Sequence, residues 1–319
     1  MPQDITRLFR DANIKTVKPI LIESNEYSYT VKEETPDNWN FHAFYAFKKL
    51  QQERAQKGLA VKTFATIGSG NGVDAIGAYH IFPGLETALM VDINRQVLGL
   101  CKNNFARNTD ADSKGVHYDA IEGSLCQRLV DMQIKADLIY ANIPNVPEEP
   151  GRIFIGRNSS GFLDRPLYGS VPEEFERHFM VSQYALLKSA KKALAKNGTL
   201  VVNFGGRAPY KLLPKMFKEN GYRFSEVCCG FKKQTETEVM LLGYGKGEQE
   251  YGVEFDFYRY EAAMQLLQEK KINNPTDEIR GDKLKEILEP FKVSSAQSLE
   301  LYRKGEKIGH TVHLLAGDI

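Results

Sequence analysis

The chain has little of what marks metal, redox, nucleic-acid or membrane proteins. Its 319 residues include only four cysteines, Cys101, Cys126, Cys228 and Cys229, with no metal-ligand spacing among them. The pair at 228–229 falls in an apolar segment, where burial in the core is expected. Six histidines are scattered, without an H-x-x-x-H or H-E-x-x-H cluster, so no metal site is expected. Charge of one sign is also missing: 42 basic and 41 acidic residues leave a net charge of +1. Without a basic excess to neutralise a phosphate backbone, nucleic acid is not an expected partner. No apolar stretch reaches the roughly 20 residues that span a bilayer. The N-terminal Met1-Pro2-Gln3-Asp4 is polar and has no apolar signal region, so no membrane contact and a cytoplasmic location are expected. No Ser-His-Asp, Cys-His or paired-carboxylate pattern stands out, and there are no repeats or low-complexity tracts. The length allows a large core, roughly three-quarters of the unfolded surface buried. One principal domain with additions is expected, and a homo-oligomer is left open.

Against this plain background one run carries information: Thr66-Ile67-Gly68-Ser69-Gly70-Asn71-Gly72, followed by Asp92 twenty positions after its last glycine. Apolar residues from Val61 to Ile67 lead into it as a strand, and Val73 to Tyr79 can continue as a helix. A second strand, Ala88-Leu89-Met90-Val91, delivers Asp92 at its C-terminal end. Glycines let the backbone turn tightly and approach a ligand. An acid at the second strand tip can accept from both ribose hydroxyls. The pattern predicts an adenosine-binding βαβ unit. Dinucleotide sites favour G-x-G-x-x-G, where a helix N-terminus holds a pyrophosphate. The G-x-G-x-G spacing here favours S-adenosylmethionine (SAM), which has no phosphate, over NAD. Asp92 has a plainer alternative role as a cap for the helix starting near Asn94.

Strands are expected at 62–67, 87–91, 115–118, 136–141 and 199–204, with helices at 71–80, 94–107, 125–133 and 173–196. Alternation of this kind predicts an α/β fold with a doubly wound, mostly parallel sheet. A helix near 209–220, a strand near 222–228 and a strand near 238–244 follow. The last of these, coming directly after another strand, must run antiparallel. Before the regular pattern, 18–30 suggests a short strand or hairpin, and 38–56 an aromatic-rich helix. After it, Tyr251 to Ile319 is charged and helix-compatible, with a terminal strand at Thr311 to Leu315. The expected divisions are an N-terminal segment at 1–60, a SAM-binding domain at 61–248 and a C-terminal extension at 249–319.

Ligands of such sheets bind at the carboxyl ends of the strands. Those ends are Gly68–Gly72, Asp92–Asn94, Gly123–Leu125, Asn142–Asn145 and Asn203–Arg207. The glycine run resembles the first motif of class I SAM methyltransferases, although that family usually carries an acid where Thr66 stands. The family often places an adenine-binding acid where Glu122-Gly123-Ser124-Leu125 falls; Ser124 could serve there, with Glu122 as substitute. Asn142-Ile143-Pro144-Asn145 resembles the N-P-P-Y motif of amino-group methyltransferases, in which the Asn side chain and a backbone carbonyl hold the acceptor amine. Asn142 and Pro144 match, while Ile143 and Asn145 depart. The missing fourth-position aromatic argues against planar amide or base substrates. A strand-ending turn is the alternative.

Several runs together are similar to the methyltransferase module of the methionine S-methyltransferase family, over roughly residues 20 to 258. They are Asp37-Asn38-Trp39-Asn40-Phe41, Gly68 to Gly72, Asp92-Ile93-Asn94, Ile143-Pro144, Asn203-Phe204-Gly205-Gly206-Arg207 and Glu254-Phe255-Asp256-Phe257. The long aminotransferase-like region of the plant enzymes has no counterpart here, so the length suits a stand-alone bacterial form that starts dimethylsulfoniopropionate synthesis. The resemblance implies SAM as methyl donor and free L-methionine as the small-molecule substrate. Cofactor contacts are expected from Gly68, Gly70, Asn71, Gly72, Asp92, Ile93, Asn94, Ser124, Leu125 and Asn142. Asn142, Pro144, Asn145 and Tyr168 would place the reacting sulfur. A thioether has a lone pair and no proton to lose, so no general base is required. The carboxylate of methionine calls for an arginine fork: Arg207 first, then Arg157 and Arg165 in the loop at 146–172, a stretch long enough to act as a cover. Trp39, Phe41 and Tyr45 would form the opposite wall, with packing of the N-terminal helix as the plainer role, above all for Phe41; aromatic faces there also favour a sulfonium. An amine or amide N-methyltransferase and a non-catalytic SAM-binding regulator are the rival readings.

Overall fold

A computed structural model describes residues 2–28, 31, 35–145 and 169–319. Tyr168, Arg157, Arg165 and most of the expected cover loop lie outside the described residues.

Strands β1 (Gln3–Asp4) and β2 (Leu21–Ile22) form a small antiparallel pair, so of the short strand or hairpin expected at 18–30 the short strand is present. The aromatic-rich segment forms helix Trp39–Gln56, capped by the Asn38 side chain, which accepts from Asn40 N at 2.8 Å. The large sheet then begins. Strands β3 (Thr63–Ile67), β4 (Thr87–Asp92), β5 (His117–Glu122), β6 (Ala136–Ala141) and β7 (Leu194–Gly205) are joined through helices and pair in parallel as β5-β4-β3-β6-β7. Beyond β7 lies β11 (Ile308–Asp318), antiparallel to β7 and also to β8 (Arg223–Lys233) on its other edge. Two short strands, β9 (Phe257–Arg259) and β10 (Lys292–Val293), extend the sheet, β9 pairing with Ile308 and Gly309. The order β5-β4-β3-β6-β7-β11-β8, with β11 antiparallel to its neighbours in a mostly parallel, doubly wound sheet, matches the Rossmann-like class I methyltransferase fold.

The central strands are buried on both faces, which explains their near-continuous apolar sequences. Phe64, Leu138, Tyr140 and Val201 pack toward helices Trp39–Gln56 and Val73–Ile81. Ala65, Ile67, Ile139, Ala141, Leu200 and Val202 pack toward helices Val181–Ala193 and Leu212–Glu219. The helix expected over 173–196 is divided at Phe179, whose φ is 57°, and its last residues belong to β7.

The strand expected at 238–244 is instead part of helix Thr237–Tyr251. Val239-Met240-Leu241-Leu242 has a strand-like composition, but only Met240, Leu241, Tyr244 and Gly247 are buried there, while Val239 and Leu242 are 64% and 50% exposed. Those buried positions follow the 3.6-residue period of a helix. The antiparallel strand is β11, which contains the expected terminal strand at 311–315. Residues 234–307, between β8 and β11, hold four helices of eight residues or more, Thr237–Tyr251, Tyr260–Glu269, Gly281–Leu288 and Ser295–Arg303, together with the short strands β9 and β10. The C-terminal segment therefore supplies a strand of the main sheet as well as these additions. No helix among the described residues is long and apolar enough to cross a membrane.

Candidate active site

The chain crosses from one half of the sheet to the other between β3 and β6, and ligands bind at such a switch point. Gly68, Gly70 and Gly72, after β3, all have positive φ, at 73°, 50° and 84°. Gly72 starts helix Val73–Ile81, and a Cβ there would stand 3.1 Å from the Cys101 carbonyl, so the residue is needed for conformation and for space. A Cβ on Gly70 would meet nothing within 4 Å, so that face of the loop is open to a ligand. Asp92 accepts from Gly70 N at 2.9 Å and from Asn94 N at 2.8 Å. Burial pushes its pKa up and these amides hold it down. The capping role belongs to its neighbour: Asn94 Oδ1 accepts from Gln96 N at 3.0 Å at the start of helix Arg95–Asn108. Ile93 stays partly exposed between them, an apolar surface beside the acid. Asn71 is buried and acts within the loop, its side chain accepting from Val73 N and its carbonyl from Asn104 Nδ2 at 2.9 Å.

Asp92 O accepts from Gly123 N at 3.0 Å, which brings the 123–125 turn alongside. Leu125 is buried there with φ 48°, and Ser124 is half-buried. Glu122 lies opposite Asp92 in the strand register, is largely exposed and faces Arg95 at 3.9 Å. The expected cofactor residues other than Asn142 are thus gathered at the tips of β3, β4 and β5, and Asn142 follows β6.

At the tip of β6, Asn142, Ile143 and Pro144 are half-buried. The Ile143 and Pro144 carbonyls accept from Gln183 Nε2 at 3.1 and 3.2 Å. Asn145 is buried in a knot: its Nδ2 donates to Gly205 O at 3.0 Å, its Oδ1 accepts from Arg207 at 3.2 Å, and its carbonyl accepts from the Tyr244 hydroxyl.

Arg207 is the centre of that knot. Its Nε donates to Gln234 at 2.9 Å, one terminal nitrogen to Asn145 and the other to His310 Nε2 at 3.2 Å, and its guanidinium carbon lies 5.4 Å from the centre of the Tyr244 ring. Every one of these partners is neutral: burial, with the Arg207 and Lys232 charges, holds the His310 pKa well below its ordinary value. Among the described residues no carboxylate forms an ion pair with Arg207, although it is only 3% exposed. A buried guanidinium without a counter-charge is costly.

The two glycines before it are explained by crowding. A Cβ on Gly205 would lie 2.3 Å from the Arg207 side chain, and one on Gly206 would lie 2.3 Å from both His313 and Thr311. Gly206 exchanges bonds with Thr311: its N–H donates to Thr311 O at 2.7 Å and its carbonyl accepts from Thr311 Oγ1 at 3.2 Å. Thr311 Oγ1 also lies 3.0 Å from His313 Nε2, and His313 Nδ1 lies 2.7 Å from Glu226. A hydroxyl–imidazole–carboxylate chain of this shape resembles a nucleophilic triad. Thr311 and His313 are fully buried, however, so the chain anchors the turn. From the segment between β8 and β11, Asp256 N donates to Arg207 O at 2.7 Å, and Lys285 Nζ bridges Ala208 O and Asp256, each at 2.7 Å.

Trp39 belongs to this half of the site. Its carbonyl accepts from Asn203 at 3.3 Å, its ring lies 5.5 Å from that of His310, and Lys232 Nζ lies 4.6 Å from the ring centre. Tyr45 does not join it. Six residues, about 9 Å, further along the same helix, its hydroxyl donates to Asp277 at 2.7 Å, beside Lys49. The sequence reading missed Gln183, Gln234, Tyr244, His310 and Lys285. The polar pattern His310-Thr311-Val312-His313 inside an apolar strand was the available signal for one of them.

No family model and no curated protein matches the chain. Solved structures do. A SAM-dependent methyltransferase from Agrobacterium tumefaciens is similar at 15% identity, over 66% of this chain and 59% of its own, with a TM-score of 0.42. The YcgJ protein from Bacillus subtilis is similar at 10% identity, over 86% of this chain and 97% of its own, with a TM-score of 0.41. Likeness this distant does not bear on what the chain binds.

Proposed function

We propose that the protein is a SAM-dependent methyltransferase that transfers a methyl group to the thioether sulfur of free L-methionine, giving S-methylmethionine and S-adenosylhomocysteine as the first step of dimethylsulfoniopropionate synthesis. The observation that carries the acceptor is Arg207, a buried guanidinium held by neutral partners at a strand tip beside the Asn142–Asn145 turn. It suits the carboxylate of an amino acid. On the donor side, the open face at Gly70, the Asp92 carboxylate and the partly exposed Ile93 would hold the nucleoside.

SAM supplies an electrophilic methyl group on a sulfonium when bound. The chain's own task is then placement. Asn142, at the tip of β6, would fix the sulfur in line with the methyl group, and displacement by about 1 Å can cost on the order of a hundredfold in rate. The rival reading, methylation of nitrogen, draws on Asn142 and Pro144. In the amino-group enzymes a backbone carbonyl of this turn helps to hold the acceptor amine. Here the Ile143 and Pro144 carbonyls share one donor, Gln183 Nε2, and each keeps a second lone pair, so the choice between sulfur and nitrogen rests on the experiment.

The deciding experiment is incubation with SAM and L-methionine, followed by mass spectrometry for S-methylmethionine. Failure to form it, alongside methyl transfer to an amine or amide, would replace this reading with the nitrogen one. The pH profile separates them as well. A thioether needs no deprotonation, so kcat at saturating methionine should show no rising limb from nucleophile ionisation, whereas an amine acceptor requires a base.

A further inference from the structure

One pleat below the strand tips lies a group of buried polar atoms that the proposed reaction has not used. On the face turned toward helix Trp39–Gln56, Thr66 of β3 stands opposite Tyr140 of β6 in the strand register. The Tyr140 hydroxyl accepts from Asn203 Nδ2 at 3.1 Å. That amide also donates to Trp39 O, which leaves Asn203 Oδ1 buried without a partner. Thr66 Oγ1 is likewise buried without a partner. Asn203 and Thr66 are 1% and 0% exposed, so neither atom is served by bulk solvent.

Asp74 completes the group. It lies in the first turn of the helix that follows the glycine loop, is 8% exposed, and accepts from Asn40 Nδ2 at 2.6 Å. Among the described residues it has no ion pair, and burial pushes its pKa up to about 7. It is close enough to Tyr140 that its charge, after burial itself, helps to raise the pKa of that hydroxyl. Around Tyr140 the fold therefore collects a carboxylate, an amide oxygen and two hydroxyls, of which Asn203 Oδ1 and Thr66 Oγ1 have no partner. Burial of such atoms without partners is costly.

A primary ammonium is the complementary group: three donors, no acceptor and one positive charge. We propose that Asp74, with Asn203 Oδ1 and Thr66 Oγ1, forms a binding site for the α-ammonium of an amino-acid ligand. The chemistry is shared by two sources, the methionyl end of the donor and the acceptor amino acid. The inference rests on the methyltransferase reading for the presence of such ligands, and Asp74 then supplies the negative counterpart of Arg207.

The test uses two conservative variants and two ligand pairs. Asp74→Asn keeps the shape and the Asn40 contact while removing the charge, and Thr66→Val removes the hydroxyl from a position where it has no bond to lose. Calorimetry would compare S-adenosylhomocysteine with its analogue lacking the α-amino group, and L-methionine with 4-(methylthio)butanoate. Wild-type protein should prefer the ammonium-bearing member of at least one pair. Asp74→Asn should reduce that preference ten- to a hundredfold and Thr66→Val severalfold, with the amine-free analogue bound equally by all three proteins. The pair affected identifies the source. Equal weakening of both members of each pair, or unchanged discrimination in folded Asp74→Asn and Thr66→Val, overturns the site. If wild type fails to methylate methionine yet loses discrimination for S-adenosylhomocysteine on Asp74→Asn, the acceptor assignment falls and the ammonium site stands.

Discussion

The two halves of the site are built differently. The half at the tips of β3, β4 and β5 is made of backbone: positive-φ glycines, amides bonded to Asp92 and a turn drawn in by the Asp92 carbonyl. Its parts lie close together in the sequence. The half at the tips of β6 and β7 is made of buried side chains, in which Arg207 meets Asn145, Gln234, Tyr244 and His310 from four separate segments. A backbone cradle suits a ligand common to many enzymes, because it asks only for glycines and one acid. A side-chain knot is particular to one ligand, and each member depends on the others.

Changes in the knot should do the most damage, and confined to one ligand. Arg207→Lys keeps the charge but cannot make the planar fork, and it leaves Asn145 and Gln234 short of donors. The KM for methionine should rise on the order of a hundredfold, while the affinity for S-adenosylhomocysteine changes little. Collapse of cofactor binding with methionine KM unchanged would erase the division into two halves. Asp92→Ala is the matching cut on the other side. Hydrogen bonds to a charged group are worth about 1.5–3 kcal/mol each, so calorimetric affinity for S-adenosylhomocysteine should fall roughly ten- to a hundredfold. Methionine KM, measured at saturating SAM, should stay within a few-fold.

Asp74 sharpens the contrast through stability. Its pKa of about 7 in the fold lies above its value in the unfolded chain. The folded state thus holds the proton over a range where the unfolded state has released it, and stability falls as pH rises from about 4 to 7. Asp74→Asn removes this loss. Without ligands it should melt higher than wild type at pH 8, by an amount on the order of 2–4 kcal/mol, and the gap should shrink toward pH 4. A gap independent of pH in thermal melts would contradict this account. A stabilised protein with weakened ligand binding is the usual exchange at a functional site. The smallest effect is expected at Tyr45. Its hydroxyl bonds to Asp277 at a part-exposed position, away from the Arg207 knot. Tyr45→Phe should leave methionine KM and kcat within twofold of wild type, and a large change in steady-state kinetics would return Tyr45 to the substrate wall.

The same contrast governs how much the sequence discloses. The glycine run, Asp92 and strands such as 136–141 are legible because local rules fix them: positive φ selects glycine, and a strand buried on both faces reads as an apolar run. Gly205-Gly206-Arg207 is visible as a motif, yet the reason for Gly206 is not, since its crowding comes from His313 and Thr311, more than a hundred residues later. Tyr244 was hidden by a misread period. Val239 to Leu242 has the composition of a strand, and only tertiary burial of Met240, Leu241 and Tyr244 distinguishes a helix. The bond of Tyr45 to Asp277 was not legible, because an aromatic in a helix reveals its residue type and not the direction it faces.

The position of β11 has a further consequence, for the order of synthesis. The strand lies between β7 and β8 in space but follows both in the chain, with residues 234–307 intervening. While those residues are being made, β7 and β8 each present an open edge that their final partner has yet to cover. Exposed edges of apolar strands invite pairing with other chains, and late, long-range pairing is intrinsically slow. His310, Thr311 and His313 arrive on the same strand that closes the gap. The Arg207 turn therefore acquires its anchors in the step that removes the open edges, so a nascent chain short of β11 would be aggregation-prone and unable to complete the surroundings of Arg207.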